Sequence, residues 1–318
     1  MDKTTNIWLA AAIAGVTMIA AAGCNGGGGG GGSTEPIRID GSSTVYPITE
    51  RVAESYTSVH ESTRITAAFS GTGGGLKKFA AGEIDIADAS RPIKEKEAEA
   101  CAAAGISFTE LEVAYDGLAV VVNPANSWCE CLTVEQLKRL WEPGSTVATW
   151  KDLDPSWPNE KIELYGPGTD SGTFDYFTEA IVGEAKKSRA DYTASEDDNV
   201  LVTGVSADRN ALGYFGFAYF VENQDKLKLL GVDGGKGCLK PSLETVRDKS
   251  YAPLSRPLFI YVNHRSMERP EVRSFVEFYL DSAAEIAEQV GYIPAPEEAM
   301  SKNRQLFEQA TAKEGAAK

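Results

Sequence analysis

Tyr165-Gly166-Pro167-Gly168-Thr169-Asp170-Ser171-Gly172-Thr173-Phe174-Asp175-Tyr176-Phe177 is the stretch on which the reading of this chain turns. A short apolar strand, Ile162 to Tyr165, runs into two glycines and a proline. Hydroxyl and acidic residues follow, and then a helical pattern that ends near Val182. A helix start leaves backbone N–H groups without partners inside the helix, and glycines let a ligand come close to them. With the hydroxyls of Thr169, Ser171 and Thr173 alongside, the loop suits an oxyanion. A plainer reading has Ser171 and Thr173 capping the helix while Asp170 complements its dipole.

The same grammar occurs twice more. Strand Ile37 to Ile39 leads into Gly41-Ser42-Ser43-Thr44 and a helix from about Pro47 to Tyr56, with proline in the first turn where helices accept it. Strand Arg64 to Phe69 leads into Ser70-Gly71-Thr72-Gly73-Gly74-Gly75 and a helix over Leu76 to Ala81. A further strand, Ile84 to Ala87, ends at Asp88-Ala89-Ser90-Arg91-Pro92. In an open α/β sheet, ligands sit beyond the carboxyl ends of the strands, so such loops can converge on one point.

The composition admits a sizeable core: 42% of the 318 residues are hydrophobic and 24% charged. The apolar run Ile7 to Ala22 is short for a membrane span and suits the core of a signal peptide over residues 1–23. The small residues before Cys24 resemble a bacterial lipobox, which makes Cys24 the expected lipidation site. Ala21 stands where that pattern favours Leu. The glycine tract Gly26 to Gly32 reads as a flexible tether within residues 24–36, because such a sequence cannot offset its ordering entropy. The alternative is a secreted protein with a floppy start. Either way the folded body is expected outside the cytoplasm. A net charge of −15 with no basic stripe argues against nucleic acid. An anionic ligand would then be held by local dipoles and hydrogen bonds rather than steered by the long-range field.

Besides Cys24 there are Cys101, Cys129, Cys131 and Cys238. An exported chain permits disulfides, and four cysteines allow three pairings. Cys129 and Cys131 lie too close in sequence to favour pairing with each other. Their spacing, with no histidine nearby, suits zinc poorly, so neither a metal nor a cofactor is expected.

Strands and helices alternate along the chain, which argues an α/β fold. Lys94 to Ala104 reads as a helix, Ile106 to Val113 and Gly117 to Asn123 as two strands, and Val134 to Leu140 as a helix. Phe174 to Val182 and a segment through Val205 are helices, Leu212 to Phe215 a strand, and Tyr214, Phe215, Phe217, Tyr219 and Phe220 read as core aromatics. Leu227 to Val232 and Leu258 to Val262 are strands, and Val272 to Val290 is an amphipathic helix. Residues 310–318 read as a frayed, disordered tail. The crossing points Glu112 to Leu118 and Pro253 to Leu258 divide the chain into lobe 1 (37–114 with 255–309) and lobe 2 (115–254).

Taken in order, Gly41-Ser42-Ser43-Thr44-Val45-Tyr46-Pro47, Ser70 to Gly75, Ala89-Ser90-Arg91-Pro92-Ile93, Tyr115-Asp116-Gly117-Leu118, Leu132 to Leu137, Gly166 to Phe174 and Ala211 to Phe215 resemble the phosphate-binding proteins of bacterial high-affinity phosphate ABC transporters. The likeness covers nearly everything from Ile37 to about Pro294. It implies a two-lobed class II periplasmic-binding-protein fold with a hinge. The function it implies is capture of inorganic phosphate and delivery to a permease, by a monomer that is no enzyme. The ligand set it implies is Ser43, Thr44 and Val45; Ser70, Gly71 and Thr72; Ser90 and Arg91; and Asp170, Ser171, Gly172 and Thr173. Many members carry an acidic residue at the position of Ser90 and an arginine at that of Pro167. Arg91 is therefore the expected replacement cation, with Asp170 or Asp88 as acceptor of the ligand proton. Cys131 and Cys238 are expected to be bridged, since both fall in lobe 2 and similar members often carry cysteines at both places. The usual partner of Cys101 falls at Ala80, which leaves Cys101 free or joined to Cys129.

Two rivals remain. Asp170-Ser171-Gly172 could belong to a hydrolase with Ser171 as nucleophile, but the spacing is not that of a nucleophile elbow. His60 and His264, the two histidines, lie outside the predicted cleft. Sulfate or molybdate is the nearer rival, since either is held by the same donors. Phosphate alone keeps a proton near neutral pH, which a carboxylate can recognise while repelling sulfate.

Overall fold

A computed structural model of the chain describes residues 35–315. The predicted signal segment, Cys24 and the glycine tether lie outside the described residues, which belong to one compact unit. The chain enters with β1 (Ile37–Gly41), α1 (Tyr46–Val59), β2 (Ile65–Ala67), α2 (Thr72–Ala80), β3 (Ile86–Ala89) and α3 (Glu95–Ala103). Parallel strands need crossover connections, and the helices supply them, so β2, β1 and β3 lie side by side with their carboxyl ends at one edge. Close approach tightens that edge. A Cβ on Gly75 would come within 2.4 Å of the Gly41 Cα, so only glycine lets α2 settle onto the end of β1.

The strand β4 (Phe108–Val122) is continuous, whereas the sequence pattern predicts two strands. Tyr115, Asp116 and Gly117, which interrupt the apolar pattern, find ladder partners in β12 (Ser255–Asn263), so the backbone has no reason to break. Between these two strands come β5 (Cys131–Thr133), α4 (Val134–Trp141), α5 (Trp150–Leu153), β6 (Glu163–Pro167), α6 (Gly172–Phe177), β7 (Thr193–Ser195), α7 (Asp198–Ala207), β8 (Ala211–Gly216) and α8 (Phe217–Glu222). The short β9 (Lys228–Leu229), β10 (Gly231–Asp233), β11 (Cys238–Leu239) and α9 (Leu243–Arg247) follow. After β12 the chain ends in α10 (Pro270–Gln289), β13 (Ile293–Pro294) and α11 (Glu297–Gly315).

The main sheet runs β2-β1-β3-β12-β4-β8-β6-β7, and β9 and β13 pair with β4 off that path. The first half of β4 pairs antiparallel with β12 and its second half antiparallel with β8, so one strand threads both lobes. On the far side, β6 lies parallel to β7 and β8. The predicted helix Phe174 to Val182 starts earlier, at Gly172, and widens into a π turn over Thr178–Val182. There the Thr178 hydroxyl donates to the Phe174 carbonyl and accepts the Lys186 N–H.

One apolar core spans both lobes through β4. In lobe 2 it centres on Trp141, edge-on to Phe177, Tyr192 and Tyr214, with Phe177 stacked on Tyr214 at 3.6 Å. Tyr214 and Phe215 are fully buried, as core aromatics should be. A three-stranded sheet, β11-β10-β5, flanks this lobe, and a disulfide joins Cys131 to Cys238 across it. Cys101 and Cys129 are buried free thiols. The tail reading is corrected for residues 310–315, which continue α11 with Ala310 buried. Tertiary contact accounts for this: Asn303 on α11 exchanges two hydrogen bonds with the Glu112 backbone of β4.

Candidate oxyanion-binding cleft

A cavity of about 420 Å3 opens between the loop ends of the two lobes. The first loop is fixed by its own backbone. Ser42 N–H donates to the Asp88 carbonyl at 2.9 Å, and Thr44 N–H donates to the Ser42 hydroxyl at 3.2 Å. Ser43 and Thr44 thereby line the cavity, whereas Val45 is fully buried as the residue before α1. In the second loop, Gly71 and Thr72 line the wall. Ser70 instead gives its hydroxyl to Asp40 at 2.6 Å. The Thr72 hydroxyl accepts the Ser90 N–H at 3.1 Å and meets the Ser90 hydroxyl at the same distance, which ties the second loop to the third.

Arg91 lines the cavity but is not unengaged. Its Nη1 and Nη2 each donate to a Glu97 oxygen at 2.8 Å, and Nη1 also reaches the Pro92 carbonyl. This fork-to-fork pair is the strongest geometry an arginine and a carboxylate offer. It holds the Glu97 carboxyl below its ordinary range, chiefly through the hydrogen bonds from Arg91. Glu97 stands two residues beyond Glu95, the nearest acid at ordinary helical spacing. It also caps α3 by accepting the Lys94 N–H.

The opening stretch behaves differently from its reading as an anion loop. Ser171 caps α6, its hydroxyl accepting the Thr173 N–H, as the plainer reading has it. The Asp170 N–H is directed at Glu196 Oε1, 3.3 Å away, so the chain's own carboxylate sits against this loop. Asp170 is exposed, and none of Asp170, Ser171, Gly172 and Thr173 lines the cavity. Gly172 instead seats the lobes on one another. A Cβ there would lie 3.0 Å from the Cα, N and Oγ1 of Thr44, and the Thr44 hydroxyl donates to the Gly172 carbonyl at 3.4 Å.

The face of α6 that meets the cavity is one turn further on, at Asp175 and Tyr176. Asp175 Oδ2 accepts from the Ser43 hydroxyl at 3.4 Å and lies 3.7 Å from Lys186 Nζ. Its Oδ1 is buried without a hydrogen-bond partner among the described residues. Burial raises the Asp175 carboxyl, and Lys186, Ser43 and Arg256 pull it back. Asp88 and Asp170, the predicted proton acceptors, are both off the wall, and the cavity holds Asp175 in their place. Asp88 is fully buried, neither of its oxygens has a hydrogen-bond partner among the described residues, and burial pushes the carboxyl up to about 8. The neighbouring Thr49 hydroxyl, engaged with Tyr279, pulls the carboxyl partly back, and the charge of Asp40 pushes it up further.

Arg256, Lys94 and Glu179 complete the charged wall and escaped the sequence reading. Arg256 lies in the return strand opposite Asp116 of β4, and the two form a buried ion pair. A signal was there: Arg256 is the one charged residue of the strand SRPLFIYVN, and a lone charge in an otherwise apolar strand needs a partner. Neither His60, stacked on Tyr56, nor His264, bonded to Thr109, reaches the cavity. Among the described residues no cluster of three or more His, Cys, Asp or Glu is placed to hold a metal.

Residues 26–283 match the PBP superfamily domain. The chain is 51% identical over 278 residues to Protein SphX of Synechocystis, covering 86% of this chain and 83% of that protein. It is 40% identical over 260 residues to the phosphate-binding protein PstS of Staphylococcus aureus, covering 81% and 78%. The chain belongs to this family of substrate-binding proteins. A crystal structure described as a possible phosphate-binding protein from Planctomyces limnophilus superposes with a TM-score of 0.85 at 48% identity, covering 87% of this chain and 99% of that one. The family's two-lobed architecture accounts for the cavity's position, beside the strands β4 and β12 that connect the lobes.

Proposed function

We propose that the cleft binds inorganic phosphate in its protonated, anionic form and that the protein delivers it to the permease of an ABC transporter. The observation that carries this reading is a cavity wall that sets hydroxyls and cations beside a half-buried carboxylate, Asp175. Ser43, Thr44, Thr72 and Ser90 set hydroxyls and Arg91 a guanidinium on the wall, and the half-buried carboxylate of Asp175 stands beside Ser43. Sulfate, without a proton near neutral pH, would meet that carboxylate with repulsion; phosphate can donate to it. The names carried by the relatives support the same ligand.

On this reading lobe 1 comprises residues 37–114 and 255–309 and lobe 2 residues 115–254, the pair acting as a monomeric receptor rather than an enzyme. Cys24 would carry the lipid that holds it at an extracytoplasmic membrane surface. Mass spectrometry of membrane-extracted protein checks this; an unmodified Cys24 within a longer chain counts against it.

Calorimetric titration with phosphate and with sulfate tests the ligand. The wild type should prefer phosphate by about a hundredfold or more, and Asp175→Asn should narrow that gap by about tenfold, or about 1.4 kcal/mol. Equal affinity of the wild type for both anions would overturn the phosphate reading.

A further inference from the structure

The geometry points to Arg256 as a further anion-binding residue: a guanidinium set on the hinge strands that takes the tetrahedral oxyanion through Nη1. The inference rests on the phosphate reading above and names a residue beyond the family's ligand positions considered there.

Three contacts fix the side chain from three parts of the molecule. The β4–β12 register puts Arg256 directly across from Asp116, whose Oδ2 accepts from Nε at 3.3 Å and Nη2 at 3.2 Å. From lobe 2, the Tyr176 ring sits against the guanidinium, its centroid 3.5 Å from Cζ, and is itself anchored by its hydroxyl to the Pro253 carbonyl at 2.7 Å. From lobe 1, the Thr44 hydroxyl accepts from Nη2 at 2.7 Å. A guanidinium so held has lost its side-chain freedom before any ligand arrives, and that preorganisation favours affinity.

What remains available is as informative. The side chain is only 11% exposed, yet Nη1 makes no hydrogen bond among the described residues, and Arg256 is part of the cavity wall beside Asp175 and Ser43. Nη1 is not sealed among the buried unpartnered atoms, so an anion oxygen entering the cavity can reach it and accept its hydrogen bond. Arg91 contrasts with it, since both its amino groups already face Glu97. Asp116 solves a second problem. It neutralises Arg256 when no anion is bound, and it is itself raised by burial and drawn back by the guanidinium. The hinge thus carries a cation that is tolerable without ligand and already oriented for one. It stands in for the arginine that Pro167 displaces in the second lobe's loop.

Titration of the full chain with inorganic phosphate, on the wild type, Arg256→Lys and Arg256→Gln, tests the assignment, with circular dichroism to confirm folding. Arg256→Lys keeps a charge but lacks the planar fork, and should weaken binding about thirtyfold; Arg256→Gln should weaken it a hundredfold or more. A purely structural arginine would not sense the ligand. Nitrogen-15 spectra of the wild-type guanidinium groups therefore supply a second readout, in which the Arg256 Nη signals should shift as phosphate saturates. A folded Arg256→Gln that binds within threefold of wild type, or Nη signals unmoved at saturation, overturns the inference and leaves the phosphate reading standing. Should the variants fail to fold, the wild-type spectra alone decide. A wild type that binds no phosphate overturns both.

Discussion

Replacing Glu97 by glutamine should tighten phosphate binding while weakening the fold. The carboxylate meets both amino groups of Arg91 at 2.8 Å, with the two side chains 26% and 21% exposed, and it also accepts the Lys94 N–H at the start of α3. Glu97→Gln keeps one oxygen for that cap but gives up the charge and the second acceptor. A half-buried forked pair of this kind lies between exposed bridges and fully buried ones, so its loss should cost about 1–2 kcal/mol of stability. The sign with pH follows from the lowered Glu97 pKa. Its contribution is present above the ordinary glutamate pKa and is lost as pH falls through the depressed folded value, so parent and variant should converge in stability in acid. For the ligand the balance reverses. An anion competes with Glu97 for the Arg91 fork, and removing the competitor should raise affinity by about tenfold, equivalent to about 1.4 kcal/mol. Calorimetry at neutral pH, paired with urea unfolding at neutral and acid pH, measures both arms. Weaker binding by a folded Glu97→Gln would refute the reasoning, because it would show that Glu97 orients Arg91 for the ligand rather than withholding it.

Asp88 should make the protein less stable as pH rises. Its folded carboxyl titrates at about 8, so the folded state keeps a proton that the unfolded chain releases near pH 4. Stability should fall across that window by up to on the order of 5 kcal/mol. Asp88→Asn should flatten the fall in denaturant titrations at pH 5 and pH 8.5, and identical slopes for parent and variant would contradict the assignment. Reducing the bond between Cys131 and Cys238, which are 107 residues apart, should lower stability by about 2–5 kcal/mol, read as a drop in unfolding midpoint with dithiothreitol. A midpoint unchanged by reduction would show that the small sheet holds without it.

Local chemistry made much of this molecule legible from the chain alone. Alternation of apolar strands with helix starts marks an α/β fold, because periodicity and helix-entry residues act over a few positions. The hydroxyl-rich segments Ser42 to Thr44, Thr72 and Ser90 to Arg91 follow strands for the same local reason, and parallel pairing of β1, β2 and β3 gathers them at one edge. What the sequence could not settle is where each polar group spends its hydrogen bonds, since that depends on how the folded backbone brings the groups together. Arg91 meets Glu97, and Asp170 N–H meets Glu196, because the folded backbone brings those carboxylates there. The continuity of β4 is likewise a property of its partner β12, which supplies ladder bonds where propensity alone breaks the strand. Arg256 is the plainest case. Arg256, between Pro253 and Pro257, carries no binding motif, and only the register that sets it opposite Asp116, beneath Tyr176 and against Thr44, turns it into part of the cleft.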